Sequence, residues 1–334
     1  WTVDSTKWPE GLGALVDHVT TLGMEFGLWV EPEMVSLDSQ LSREHPEWIL
    51  RETLARLPMS WRNQQVLDLG LPAVRDYVVD AVCALLAEYD ISYLKWDMNR
   101  DLLGGSVHRH VTGLYEILDR VHQAHPEVEI ESCSSGGARI DAGVLERTQR
   151  VWPSDTNDPL ERVTIERWTA LLVPPEYLGS HVGAGTAHTT GRTHSLSFRL
   201  AAALFGHAGI EWDVTTLSPT EHDALSAWAA EYKQLRSLLH TGTVVNADTA
   251  DDQYVRGVVS TDARSAMFCI AAVATSPVGQ PQPIRLPGLD PDTVYRVEGA
   301  RGDFEASGRA IAAIGIPMPL LRPEHAIIVR LTAV

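Results

Sequence analysis

Residues 72–99 read PAVRDYVVDAVCALLAEYDISYLKWDMN, a helical pattern followed at once by a strand pattern. Val74, Val78, Val82, Leu85 and Leu86 recur at helical spacing behind Pro72, which suits a first helical turn. Ile91–Trp96 then reads as a buried strand whose end carries Lys95, Asp97 and Asn99. In extended backbone these three share one face, and Trp96 and Met98 share the other. A helix feeding a buried strand that ends in polar side chains is the repeating unit of a parallel α/β fold.

The same rhythm runs through two thirds of the chain. Strand-like apolar runs fall at Met24–Val30, Val66–Leu69, Ile91–Trp96, Val128–Ser132, Arg150–Trp152, Tyr177–Val182 and Gly209–Val214. Helical patterns fall at Leu12–Leu22, Val111–His122, Leu160–Leu172, Leu196–Phe205 and Glu221–Leu239. Seven strands point to a (β/α)8 TIM barrel lacking its first strand, since such a barrel has eight. A doubly wound open sheet is the rival, but no Gly-rich phosphate turn follows an early strand. Past Thr241 the texture becomes β-rich, with runs at Val244-Val245, Tyr254–Val259, Ala266–Ala274, Ile284–Leu286, Val294–Val297 and Ala326–Leu331. This division predicts a catalytic barrel over 1–241, incomplete at its N-terminus, and a small antiparallel β-sandwich over 242–334.

The formal charge of −17 over 334 residues argues against nucleic acid or an anionic membrane as partner, whereas a neutral sugar is compatible with it. Ten tryptophans against five phenylalanines supply broad rings that can stack on sugar or serve as core. Cys83, Cys133 and Cys269 are too few and too widely spaced for a disulfide framework or a zinc site. No run reaches the length of a membrane span. The first residue is Trp1, with no methionine or signal peptide, and the reading is that an upstream segment has been removed.

In a parallel barrel the side chains at the carboxyl ends of the strands converge on one face. This places Trp29, Glu31 and Glu33 after one strand and Lys95, Asp97 and Asn99 after another. Cys133 and Gly136 follow a third, Trp152 and Asp155 a fourth, and Trp212 and Asp213 the last. Two carboxylates beside aromatic rings are what glycosidic cleavage needs. A structural Lys95–Asp97 ion pair is the competing reading. Glu31 and Glu33, which bracket Pro32, read as structural. Asp158, directly before Pro159, reads as a helix N-cap, which leaves Asp155 for chemistry. His108-Arg109-His110 reads as a solvated turn. No metal and no cofactor is expected.

These residues resemble glycoside hydrolase family 36, the melibiase-type α-galactosidases. The resemblance rests on FGLWVEPEMVS (26–36), HPEW (45–48), WRNQQVLDLG (61–70), YLKWDMNR (93–100), ESCSSGG (131–137), WPSDTNDPLER (152–162) and LGSHVG (178–183). It implies a retaining α-galactosidase in which Asp97 is the nucleophile and Asp155 the acid/base, about 5–5.5 Å apart. Arg62, Lys95 and Asn99 match positions that bind galactose hydroxyls or steady the nucleophile. Trp29 and Trp152 match aromatic walls. Cys133 and Gly136 match positions near the 2-hydroxyl. On this reading Lys95 keeps Asp97 ionised, and Trp152 or Asp97 keeps Asp155 protonated.

The family also carries a large N-terminal β-sandwich and a first barrel strand ending in an Asp-Asp pair, and neither occurs in this sequence. The expectation is an N-terminally truncated chain, poorly stable and nearly inactive alone. An α-N-acetylgalactosaminidase, a galactosyl transferase and a catalytically dead sugar-binding fragment are the alternatives. The resemblance further implies a galactose-containing oligosaccharide as substrate, a homo-oligomer and a cytoplasmic location.

Overall fold

The computed structural model describes residues 2–53 and 56–334. The chain forms two compact units, one ending at Pro153 and the other spanning Ser154–Val334.

The first unit runs α1 (Gly13–Thr21), β1 (Gly27–Val30), β2 (Met34–Ser36), α2 (Gln40–Glu44), β3 (Gln64–Val66), α3 (Pro72–Glu88), β4 (Tyr93–Trp96), α4 (Val107–Ala124), β5 (Glu129–Ser132), α5 (Ala142–Leu145) and β6 (Arg150–Val151). Strands β1, β4, β5 and β6 pair in that order, all parallel. Their core joins Leu94, Trp96 and Ile130 of the sheet to Val74, Val78 and Val82 of α3 and Leu114, Ile117 and Val121 of α4. Helix α3 begins at Pro72 and buries the stripe that its spacing announced. The helix at Val111–His122 begins earlier, at Val107, because Ser106 accepts the Arg109 N–H and caps it.

Two expectations fail here. The run Val66–Leu69 is not a barrel strand, because β3 pairs antiparallel with β2, and β1 pairs directly with β4. Leu67 and Leu69 are buried, but Leu67 N–H bonds to the Glu33 carbonyl rather than to a parallel neighbour. An apolar run reports burial, not the direction of pairing. Likewise, His108-Arg109-His110 is no solvated turn. It lies in the first turn of α4, and His110 is buried.

The second unit opens with α6 (Pro159–Thr169), β7 (Gly179–Gly183), α7 (Leu196–Ala202), β8 (His207–Glu211) and α8 (Pro219–Thr241). Strands β7 and β8 form a parallel pair. Helix α8 starts on a reciprocal capping box between Ser218 and Glu221, with Pro219 behind it. Then come β9 (Thr243–Asn246), β10 (Gln253–Val259), β11 (Ser265–Ala272), β12 (Val294–Glu298), β13 (Phe304–Ser307), the short α9 (Gly308–Ala313) and β14 (His325–Ala333). These six strands make one antiparallel sheet in the order β13-β12-β14-β11-β10-β9. Phe268, Ile270, Tyr295 and Val329 on one face pack against Ile284, Leu286, Ile311 and Ile316. Val258, Met267 and Cys269 on the other face pack against Leu204, Phe205 and Leu239. The expected strand Ile284–Leu286 is only a single bridge from Ile284 to Ile316. The fold class is therefore α/β of the incomplete (β/α)8 barrel type, with four parallel strands in the first unit and a parallel pair in the second, followed by a small antiparallel β-sandwich domain.

Candidate active site

The parallel ladder continues past the formal ends of β4 and β5, and this sets the site. Asp97 N–H bonds to the Val30 carbonyl, Cys133 N–H to the Trp96 carbonyl and Met98 N–H to the Cys133 carbonyl. Extended backbone is thereby held through Asp97, and side chains keep alternating. Trp96 and Met98 point into the core, only 1% and 4% exposed. Lys95, Asp97 and Asn99 take the other face, as alternation required.

Asp97 is itself buried, 6% exposed, and its carboxylate is surrounded by donors. The Trp29 indole N–H reaches Oδ2 at 3.0 Å and the Asn99 amide reaches the same oxygen at 2.7 Å. Met98 N–H reaches Oδ1 at 2.8 Å. The Cys133 thiol is also hydrogen bonded to Asp97. Burial, and then the neighbouring Asp97 charge, push that thiol far above its usual range. Cys133 therefore stays a neutral donor and is not a nucleophile.

Lys95 does not pair with Asp97. Its Nζ lies 3.2 Å from Glu131 Oε1 and 4.3 Å from the centre of the Trp152 ring. Glu131 sits opposite Lys95 in the β4–β5 register and also accepts the Tyr93 hydroxyl at 2.6 Å. The Lys95–Asp97 ion pair is thus replaced by a Lys95–Glu131 pair on adjacent strands. Trp29 is half-exposed, whereas Trp152 is buried, 2% exposed, with Lys95 above its ring.

Arg62 sits in a tight turn. Trp61 and Gln64 are bridged, and Arg62 and Asn63 have φ of +52° and +59°. Two successive left-handed residues are what a type I′ turn demands. From there the Arg62 guanidinium reaches Glu31 Oε1 at 3.2 Å. Gly136 lies in the loop after Cys133 with φ of +80°, which glycine adopts without strain, and its carbonyl accepts the Ser134 N–H. A cleft of about 740 Å3 borders Trp29, Glu31 and Gln64, but Asp97 is not in its wall.

Two acidic residues, Glu31 and Glu131, matter more than their spacing announced. Glu31 is tied to Asn99, Arg62 and Gln64, so it belongs to the mouth. Glu131 could have been found by alternation, because it shares a face with Cys133 two residues on. Glu33 is structural, as expected. It is fully buried and accepts the Trp96 indole at 3.0 Å, the His110 ring at 2.9 Å and Arg139 at 2.7 Å. Burial alone would raise its pKa, but Arg139 and His110 outweigh that and hold it at about 2.

In the second unit, Asp155 is exposed. Asp158 is fully buried and caps α6, accepting Leu160 N–H at 2.9 Å and Glu161 N–H at 3.4 Å on Oδ1. Its other oxygen takes the Thr190 hydroxyl at 2.5 Å and Arg192 at 3.1 Å. Burial would raise this carboxyl, and the Thr190 and backbone donors together with His194 draw it below the usual range. Arg162 Nη1 holds the Ser154 carbonyl at 3.1 Å, just before Asp155. Asp213 caps the turn after β8, and Trp212 lies under Arg199.

Among the described residues no three His, Cys, Asp or Glu side chains are grouped to hold a metal ion, and no helix is long and apolar enough to cross a membrane.

An α-galactosidase of Escherichia coli is 41% identical over 99% of this chain and 51% of its own length. The α-galactosidase AgaA of Geobacillus stearothermophilus is 36% identical over 95% of this chain and 45% of its own. Crystal structures of AgaA, including a variant in complex with raffinose, superpose over the whole chain at a TM-score of 0.94 and 35% identity, covering 48% of AgaA. The chain thus spans about half the length of the relatives it matches. The Melibiase family model matches residues 1–242, and the model for the glycosyl hydrolase family 36 C-terminal domain matches 253–331. The chain belongs to glycoside hydrolase family 36.

Proposed function

We propose that this chain carries the catalytic machinery of a retaining α-galactosidase. Asp97 attacks the anomeric carbon of a terminal α-galactoside while Asp155 gives its proton to the departing glycosidic oxygen. This leaves a galactosyl ester on Asp97. Asp155 then takes a proton from water, the water oxygen attacks the same carbon, and the ester bond breaks to free Asp97. Two inversions give net retention. The observation that carries this reading is the Asp97 carboxylate itself, buried at a strand end and fixed by Trp29, Asn99 and Met98.

On this reading Trp29 is a sugar wall, and Arg62, Lys95, Asn99, Cys133, Gly136 and Trp152 form the rest of the pocket. Small groups at Cys133 and Gly136 favour a bare 2-hydroxyl over an acetamide. Raffinose-type oligosaccharides are the substrate class, because relatives were crystallised with raffinose and stachyose. Residues 1–241 are taken as the catalytic part and 242–334 as an accessory β domain, with assembly as a homo-oligomer in the cytoplasm.

The test is hydrolysis of 4-nitrophenyl α-D-galactopyranoside by the full-length protein, followed by proton NMR of the first-formed sugar. α-Galactose is expected. β-Galactose, or faster cleavage of the N-acetylgalactosaminide, would reject the proposal.

A further inference from the structure

Asn99 has two amide hydrogens, and both are committed to carboxylates. One goes to Asp97 Oδ2 at 2.7 Å and the other to Glu31 Oε1 at 2.6 Å. With an acidic oxygen on either side, the amide nitrogen must occupy this position. The same Glu31 oxygen accepts Arg62 at 3.2 Å, and Oε2 accepts the Gln64 amide at 3.3 Å. One carboxylate thus joins three pieces of chain: the end of β1, the left-handed Arg62-Asn63 turn with β3, and the segment after β4 that carries Asp97.

We propose that Glu31 is a positioning residue for Asp97, acting through the shared amide of Asn99. The proposal rests on Asp97 being the nucleophile. Without Glu31, one hydrogen of Asn99 loses its acceptor and the amide can rotate about its own side-chain torsions. Asp97 would then lose its fixed Asn99 donor and be held by Trp29, Met98 and Cys133. A bland alternative is that Glu31 only neutralises the Arg62 guanidinium.

Gln64 allows the two roles to be separated. Its Oε1 is buried and has no hydrogen-bond partner among the described residues. In Glu31→Gln the new side chain can keep its oxygen toward Asn99 and Arg62. Its NH2 then donates to Gln64 once that amide flips. Geometry survives and the charge is lost. In Glu31→Ala both are lost. The Glu31 side chain is 10% exposed at the mouth, so water can reach the space left in Glu31→Ala.

The experiment is steady-state hydrolysis of 4-nitrophenyl α-D-galactopyranoside by the full-length protein and these variants. Glu31→Ala is expected to lower kcat by about tenfold or more, the scale of a misaimed reacting group, with KM changed less than about threefold. Glu31→Gln should keep kcat within about threefold. In an Asn99→Ala background, Glu31→Ala should cost less than a further twofold, because its route to Asp97 is already cut. The proposal is overturned if Glu31→Ala keeps kcat within twofold, if Glu31→Gln is as impaired as Glu31→Ala, or if the two losses multiply in the double variant. Failure of the unsubstituted protein to cleave any α-galactoside rejects the functional reading and this role together. An active parent with an indifferent Glu31→Ala rejects this role alone.

Discussion

The Trp29 indole N–H lies 3.0 Å from Asp97 Oδ2. Trp29 is half-exposed and Asp97 is buried, so one side chain both meets the surface and orients the buried carboxylate. The pairing follows from register. Trp29 sits opposite Lys95 in the β1–β4 ladder, and Asp97 lies two residues further along the same face.

Trp29→Phe keeps a ring and deletes the donor. Loss of one hydrogen bond to a charged acceptor is worth about 1.5–3 kcal/mol, roughly 10- to 150-fold in rate if felt in the transition state. We expect kcat on an aryl α-galactoside to fall within that range, with a smaller change in KM. A variant affected only in KM would limit Trp29 to stacking.

The Lys95–Glu131 pair makes a second expectation. Glu131 is only 4% exposed and accepts both Lys95 and Tyr93. Lys95→Met removes its counter-ion and should lower stability by about 2 kcal/mol in urea unfolding, less than the ~3–5 kcal/mol for breaking a fully buried pair because Lys95 is partly exposed. Lys95→Met combined with Glu131→Gln should recover a large part of that loss. No recovery would mean that the ammonium acts through Trp152 instead.

Glu33 gives a pH dependence with a defined sign. Its folded pKa of about 2 lies below the ordinary 4.5, so its contribution is present above pH 4.5 and is lost as pH falls toward 2. The size is on the order of 3 kcal/mol. Thermal midpoints of the parent should therefore fall between pH 4.5 and pH 2 more steeply than those of Glu33→Gln. Parallel curves for the two would contradict this.

Asp158 combines an N-cap with a buried polar cluster. Asp158→Ala should destabilise the chain by about 2–4 kcal/mol, more than an ordinary cap, because Thr190 and the α6 amides lose their acceptor together. Asp158→Asn should cost less, since one oxygen remains for the helix. The readout is chemical denaturation of both variants.

How much of this could be read in advance depended on whether the signal was local. The period of Val74, Val78 and Val82 announced α3, and Asp158 before Pro159 announced the α6 cap. Alternation placed Lys95, Asp97 and Asn99 on one face. The partners across strands were not legible, because register is a tertiary property. Lys95 looked like the neighbour of Asp97 in sequence, but β5 brings Glu131 to it instead. The Val66–Leu69 run misled for a related reason: burial was correct and the pairing direction was not. β13, with Phe304 and little else apolar, gave no pattern to find.

The most direct measurement on the central claim is chemical rescue of Asp97→Ala in the full-length protein. With an activated aryl α-galactoside and sodium azide, turnover should be negligible without azide and restored with it. The product should be β-galactosyl azide, because azide enters the space left by the carboxylate and attacks from that face. Substantial hydrolysis by Asp97→Ala without azide, or azide attached on the α face, would contradict Asp97 as the nucleophile.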